Sequence, residues 1–175
     1  PGAPVAAGAG LPGRRAGTGL GRVTAIPGPV VADANILIAL LDPTHVHHEA
    51  VQQALDHVIP VTSIDPTTHT QRPVIAYVHP LNMAEVLRGY TAASRQRVLE
   101  LVESPQVGIV ARPVEDRHEE VLSLARYAEH VKMPDACVLA LAHHTRAAVL
   151  TLDKRLSNAA VTLDMDVVDM PLSTP

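Results

Sequence analysis

Hydrophobic and polar positions switch between a strand-like and a helix-like period along this chain, and the switching predicts an architecture. From Pro29, PVVADANILIALLD runs from a β-branched strand through Asp33 into a helical pattern over 35–41. Residues 44–58, THVHHEAVQQALDHV, set Val46, Ala50, Val51, Ala54, Leu55 and Val58 on one helical stripe. A polar loop around 62–72 carries IDPTTHTQRP, VIAYV (74–78) predicts a strand, and PLNMAEVLRGY opens with proline as a helix does. A helix over 92–103, a strand over 107–111 and a helix over 114–130 follow. Beyond them MPDACVLALAHH predicts a helix, AAVLTLD a buried strand and MDVVDM a last weak strand. Strands alternating with helices predict an α/β domain of three layers, α/β/α, around a central, mainly parallel sheet.

The pattern covers residues 29–170 only. Residues 1–28, dense in Gly, Pro and Ala without apolar period, predict a disordered extension, and 171–175 a short tail. Arg14, Arg15 and Arg22 in the extension are available to a polyanion, although a solvated tail is the plainer reading. The remaining length suits one domain, and 47% hydrophobic residues are enough for a core. With no Phe or Trp and three Tyr, that core must be aliphatic, and base-stacking platforms are scarce. A net charge of −4 excludes a broadly basic nucleic-acid coat but not an RNA substrate met by a local patch. The single Cys137 rules out an internal disulfide, no apolar run reaches membrane-spanning length, and no signal-peptide order is visible, so a cytoplasmic protein without membrane association is expected.

Four acids share one kind of position, at strand–helix junctions or the first turns of helices. Asp33 follows PVVA, Glu85 lies in LNMAEVLRG, Asp135 in MPDACVLALA, and Asp153 follows VLTL. In a parallel sheet the strand ends share one edge, where open α/β folds keep their ligand sites. Clustered carboxylates repel one another and raise each other's pKa, and a hard divalent cation such as Mg²⁺ relieves that repulsion. Each acid also has an ordinary reading: a helix N-cap for Asp33, a macrodipole partner for Asp135, a turn residue for Asp153, a solvated helix position for Glu85. Glu85 is set among Met83, Ala84, Val86 and Leu87, which leave it little polar face.

VADANILIALLD, NMAEVLRG, MPDACVLALA and LTLDKRL, in this order and spacing, resemble the PIN-domain ribonucleases, and among them the VapC-type toxins of toxin–antitoxin systems. The resemblance spans about 29–169. It implies a compact α/β/α domain, Mg²⁺- or Mn²⁺-dependent endonuclease action on RNA leaving a 3′-hydroxyl and a 5′-phosphate, a homodimer, and a cognate antitoxin. Carried across, Asp33, Glu85, Asp135 and Asp153 form the acidic quartet, with Asp33 and Asp135 as direct metal ligands and Asn35 as the polar residue that supports them. Two departures stand out: Ala34 where the family often has Thr or Ser, and Asn82 where a hydroxyl is common. Lost hydroxyls weaken the support of ligands, so a catalytically silent PIN-like binding module is the alternative. A receiver-type phosphoacceptor domain is disfavoured, because its acids are paired early in the chain.

Other polar clusters carry less. His45, His47 and His48 lack the Cys or HxxxH partner of a transition-metal site and predict a solvated helix start. His143 and His144 predict surface or interface positions, Cys137 a small buried residue. Arg88, Arg95, Arg97, Lys154 and Arg155 offer at most a modest phosphate-contacting rim.

Overall fold

In a computed structural model of the chain, the residues described are 25–64, 69, 71–102, 104, 106–112 and 131–170. The expected extension, the tail and the helix predicted over 114–130 lie outside the described residues, apart from 25–28.

The central sheet has four parallel strands: β1 (Val30–Ala32), β4 (Ala76–Val78), β5 (Ile109–Ala111) and β6 (Val149–Leu150), in the order β5-β4-β1-β6. Parallel strands need covered faces, and side-chain alternation splits this sheet into two packed sides. Val30, Ala32, Ala76, Val78, Ile109 and Leu150 point into a core shared with α1 (Ala34–Leu41), α2 (His48–Asp56), α3 (Pro80–Arg88) and α4 (Ala92–Val102). Val31, Tyr77 and Val149 point the other way, toward α5 (Met133–Thr145) and α6 (Lys154–Thr162). The result is the three-layer α/β/α arrangement expected. Helix α5 is the exception to amphipathic patterning: Ala136 to Ala142 are all buried, as an all-apolar helix requires.

Several boundaries differ from the sequence expectation. The region read as a polar loop around 62–72 contains an antiparallel hairpin, β2 (Val61–Ile64) against β3 (Gln71–Val74), with Val61 opposite Val74. The predicted strand 74–78 is two strands in two sheets. At Ile75 the chain changes sheets: its N–H donates to Gly108 O and its carbonyl accepts from Val30 N, so the next residues join the parallel sheet. Gly108 permits this with a φ of 69°, and a Cβ there would meet Ile75 Cγ1 and Pro73 O at 3.4 Å. The helix read over 44–58 begins only at His48, because Asp42 accepts hydrogen bonds from the N–H and hydroxyl of Thr44 and holds a turn ahead of it. Val46 therefore misses the stripe and is 74% exposed, whereas Val51, Ala54, Leu55 and Val58 are buried. MDVVDM contributes a single parallel bridge, Val149 with Val167.

Candidate active site

All four parallel strands end at the same edge, and two of the predicted acids follow strands that end there, Asp33 after β1 and Asp153 just beyond β6. Asp33 follows β1 directly. It caps α1, its Oδ1 accepting from Ala34 N at 2.7 Å, so the ordinary N-cap reading holds. A cap alone does not explain its other bonds. Oδ1 also accepts from Asn82 Nδ2 at 3.1 Å, and Oδ2 accepts from the Thr151 hydroxyl at 2.9 Å. Those partners lie 49 and 118 residues away, on α3 and beyond β6. Asp33 is 6% exposed, Asn82 0% and Thr151 6%, so this is a buried polar knot at an otherwise aliphatic sheet edge.

Asn35 supports the knot from α1. Its Nδ2 donates to Thr151 Oγ1 at 3.2 Å and its Oδ1 accepts from Leu152 N at 3.1 Å, tying the first turn of α1 to the end of β6. Thr151 Oγ1 accepts further from Asp153 N at 3.0 Å. Asp153 is the N-cap of α6, accepting from Arg155 N at 2.7 Å, and its side chain is exposed. Asp135 is the third residue of α5, close to the positive end of that helix, and half-buried. Glu85 on α3 is exposed, which corrects the expectation that its apolar neighbours leave it little access to water. Met83 and Val86 turn inward instead and take up the apolar face.

The acids act on one another electrostatically. Burial pushes the Asp33 carboxyl above the usual aspartate value, the hydrogen bonds from Thr151 and Ala34 pull against it, and the charges of Asp135 and Glu85 add to the rise. Burial likewise raises Asp135, and the charges of Asp153 and Glu85 raise it further against a backbone bond and the charge at Lys132. All four acids thus sit within Coulombic reach of one region. They are not drawn around a single point: among the described residues, no three His, Cys, Asp or Glu side chains are arranged to hold an ion between them.

That arrangement decides which cation the residues fit. Every donor is a hard oxygen, two carboxyls carry a charge that the fold disfavours, and the buried Asn82 Oδ1 has no hydrogen-bond partner. Such a set suits Mg²⁺ or Mn²⁺, with Mg²⁺ taking one or two carboxylates and keeping water. A closed tetrahedral site of the structural zinc kind it does not suit.

The profile of the PIN domain family matches residues 30–161. The chain belongs to the PIN domain family. No characterised protein matches this PIN domain by sequence alone, but solved structures share its fold. A toxin–antitoxin complex from Klebsiella pneumoniae is 21% identical, with 71% of this chain and 86% of that chain covered at a TM-score of 0.52. VapC20 of Mycobacterium tuberculosis, a toxin that cleaves the sarcin–ricin loop, is 15% identical, with coverage of 81% and 99% and a TM-score of 0.59. FitAcB of Neisseria gonorrhoeae is 20% identical, with coverage of 80% and 96% and a TM-score of 0.50. At these identities the likeness is one of fold.

Two residues of the knot escaped sequence reasoning. Thr151 lay inside an apolar run and read as strand, although a hydroxyl two residues before Asp153 at a strand end is a recognisable signal. Asn82 read as a departure from family pattern, whereas in the structure it holds Asp33. The hydroxyl absent at Ala34 has a counterpart in that of Thr151, delivered from the neighbouring strand.

The remaining clusters have structural roles. His48 Nδ1 pairs with Ala39 O at 2.8 Å and joins α2 to α1, and His47 precedes α2 as its N-cap residue. Cys137 is buried. Arg95 donates from Nε to the carbonyls of Leu87 and Tyr90, so this member of the basic rim fastens α4 to α3. Among the described residues, no helix is long and apolar enough to cross a membrane.

Proposed function

We propose that this PIN domain is a divalent-cation-dependent endoribonuclease and the toxin of a toxin–antitoxin pair. The observation that carries the reading is the buried Asp33 carboxylate, held by three hydrogen bonds with acceptor capacity to spare, beside Asp135 and Glu85, whose charges act on it, while Asp153 acts on Asp135. Asp33 and Asp135 would hold Mg²⁺ or Mn²⁺ directly, and the exposed Glu85 and Asp153 through water. When bound, the cation lowers the pKa of a bound water and stabilises charge on the scissile phosphate. The protein's part is orientation: Thr151, Asn82 and Ala34 N fix both Asp33 oxygens, and Asn35 fixes Thr151. No side-chain nucleophile is required. A cognate antitoxin belongs to the same proposal, supported by the toxin–antitoxin complex that shares the fold; a homodimer and a cytoplasmic setting are proposed with it.

RNA incubated with the purified protein should be cut in Mn²⁺, preserved in EDTA, and cut again when Mn²⁺ is restored. D135N should leave the RNA whole while the protein stays folded. Metal-dependent cleavage that persists unchanged in D135N overturns the assignment. Absence of any cleavage by the native protein, with binding of an antitoxin intact, favours the silent binding module instead.

A further inference from the structure

Asn82 presents an imbalance that the fold alone does not settle. Its side chain is 0% exposed and its Nδ2 donates to Asp33 Oδ1 at 3.1 Å, yet its Oδ1 has no hydrogen-bond partner. A buried carbonyl without a partner costs about 1–3 kcal/mol, and native interiors seldom carry that cost without a reason. Turning the amide over does not help, because it would set a carbonyl oxygen against the Asp33 carboxylate, acceptor to acceptor. The orientation is therefore fixed by Asp33, and the unpartnered oxygen is bonded to the same carbon as the nitrogen that touches the acidic centre. An apolar residue would fill this position of α3 without the imbalance.

We propose that Asn82 is a positioning residue with two functions at the cation centre: its amide N–H holds Asp33, and its carbonyl oxygen accepts a hydrogen bond from a water molecule that enters with the ion. The proposal rests on the metal reading above and assigns to Asn82 the support given elsewhere by residues that hydrogen-bond to metal ligands. An amide carries a donor and an acceptor; a hydroxyl carries both too, an aliphatic side chain neither.

The test is calorimetric titration of the full chain with MnCl₂, using native protein, D33N, and the near-isosteric pair N82T and N82V. N82T should bind Mn²⁺ within about threefold of native, and N82V roughly tenfold or more weakly, the range seen for lost partners of metal ligands. In EDTA, the melting temperatures of N82T and N82V should stay close to each other. N82L, without β-branching, repeats the apolar arm should N82V not fold. Equal affinity of N82T and N82V, or native affinity in N82L, overturns the role of Asn82 and leaves it a packing residue. Failure of the underlying reading looks different: native protein would bind no Mn²⁺, or D33N would bind it as well as native.

Discussion

Thr151→Val isolates the contribution of a single hydroxyl to the acidic centre. Valine keeps the shape of threonine, so packing beside Leu150 changes little, but the donor to Asp33 Oδ2 is lost. A hydrogen bond to a charged group is worth about 1.5–3 kcal/mol. The same hydroxyl accepts from Asp153 N and Asn35 Nδ2; Asp153 is exposed and Asn35 half-buried, so water replaces much of those two bonds. The expected loss at neutral pH in EDTA is therefore about 2–3 kcal/mol, or roughly 5–10 °C in melting temperature for a chain of this size. The loss should depend on pH. Thr151 favours the ionised carboxylate, so T151V raises the Asp33 carboxyl further above its unfolded value. In the window between the native and variant values, the folded variant binds more protons than the folded native protein, and the gap in stability widens as pH rises. It should narrow as acid protonates Asp33 in both. Urea denaturation at pH 7 and at pH 5, in native and D33N backgrounds, measures this. An equal loss at both pH values, or an undiminished loss in D33N, would show that the Thr151 hydroxyl does not act through the Asp33 carboxylate.

Three further outcomes follow from the same geometry. D135N removes a carboxylate that burial and the charges of Asp153 and Glu85 disfavour, so without divalent cations it should melt no lower than native at neutral pH; the sign is that of a folded-state pKa raised above 3.8, which diminishes stability as pH rises through the raised value. His79 is half-buried, its pKa is lowered by that burial, and its Nδ1 accepts from Leu81 N at 3.2 Å as the cap of α3. A depressed histidine stabilises the fold above its unfolded value of 6.5 and withdraws that stability as pH falls below it, so H79N should flatten the acid side of a melting-temperature profile. Leu139→Ala empties a fully buried position in α5 and should cost about 2–5 kcal/mol in urea denaturation.

Three of the four acids were legible in the sequence because they end or begin an element whose period is strong: Asp33 after a β-branched run, Asp153 after VLTL, Asp135 behind a helix-opening proline. Which residues hold Asp33 was not, since hydrogen bonds from Asn82 and Thr151 cross 49 and 118 residues, and local spacing, even where it marks Thr151 as a strand-end hydroxyl, does not name its partner. The hairpin at 61–74 was hidden by its polar composition and by Pro73, which sits on a strand of a two-stranded ribbon where a missing donor is tolerated. Val46 misled because a stripe drawn through THVHHEA ignores the turn that Asp42 imposes. Glu85 misled because apolar neighbours on a helix say which face is buried, not that the residue between them is.

The distance along the chain between Asp33 and Thr151 also orders events in time. Closing so long a loop is entropically slow relative to forming the turns of a helix. The carboxylate that begins the domain meets its hydroxyl only after the sheet has received β6, the outermost of its four strands on that side. A growing chain that has reached α4 already possesses Asp33, Asn82 and Glu85 but neither Asp135 nor Thr151. For a protein whose proposed substrate is RNA, this means that the emerging polypeptide carries an incomplete blade past the RNA of the machine that makes it.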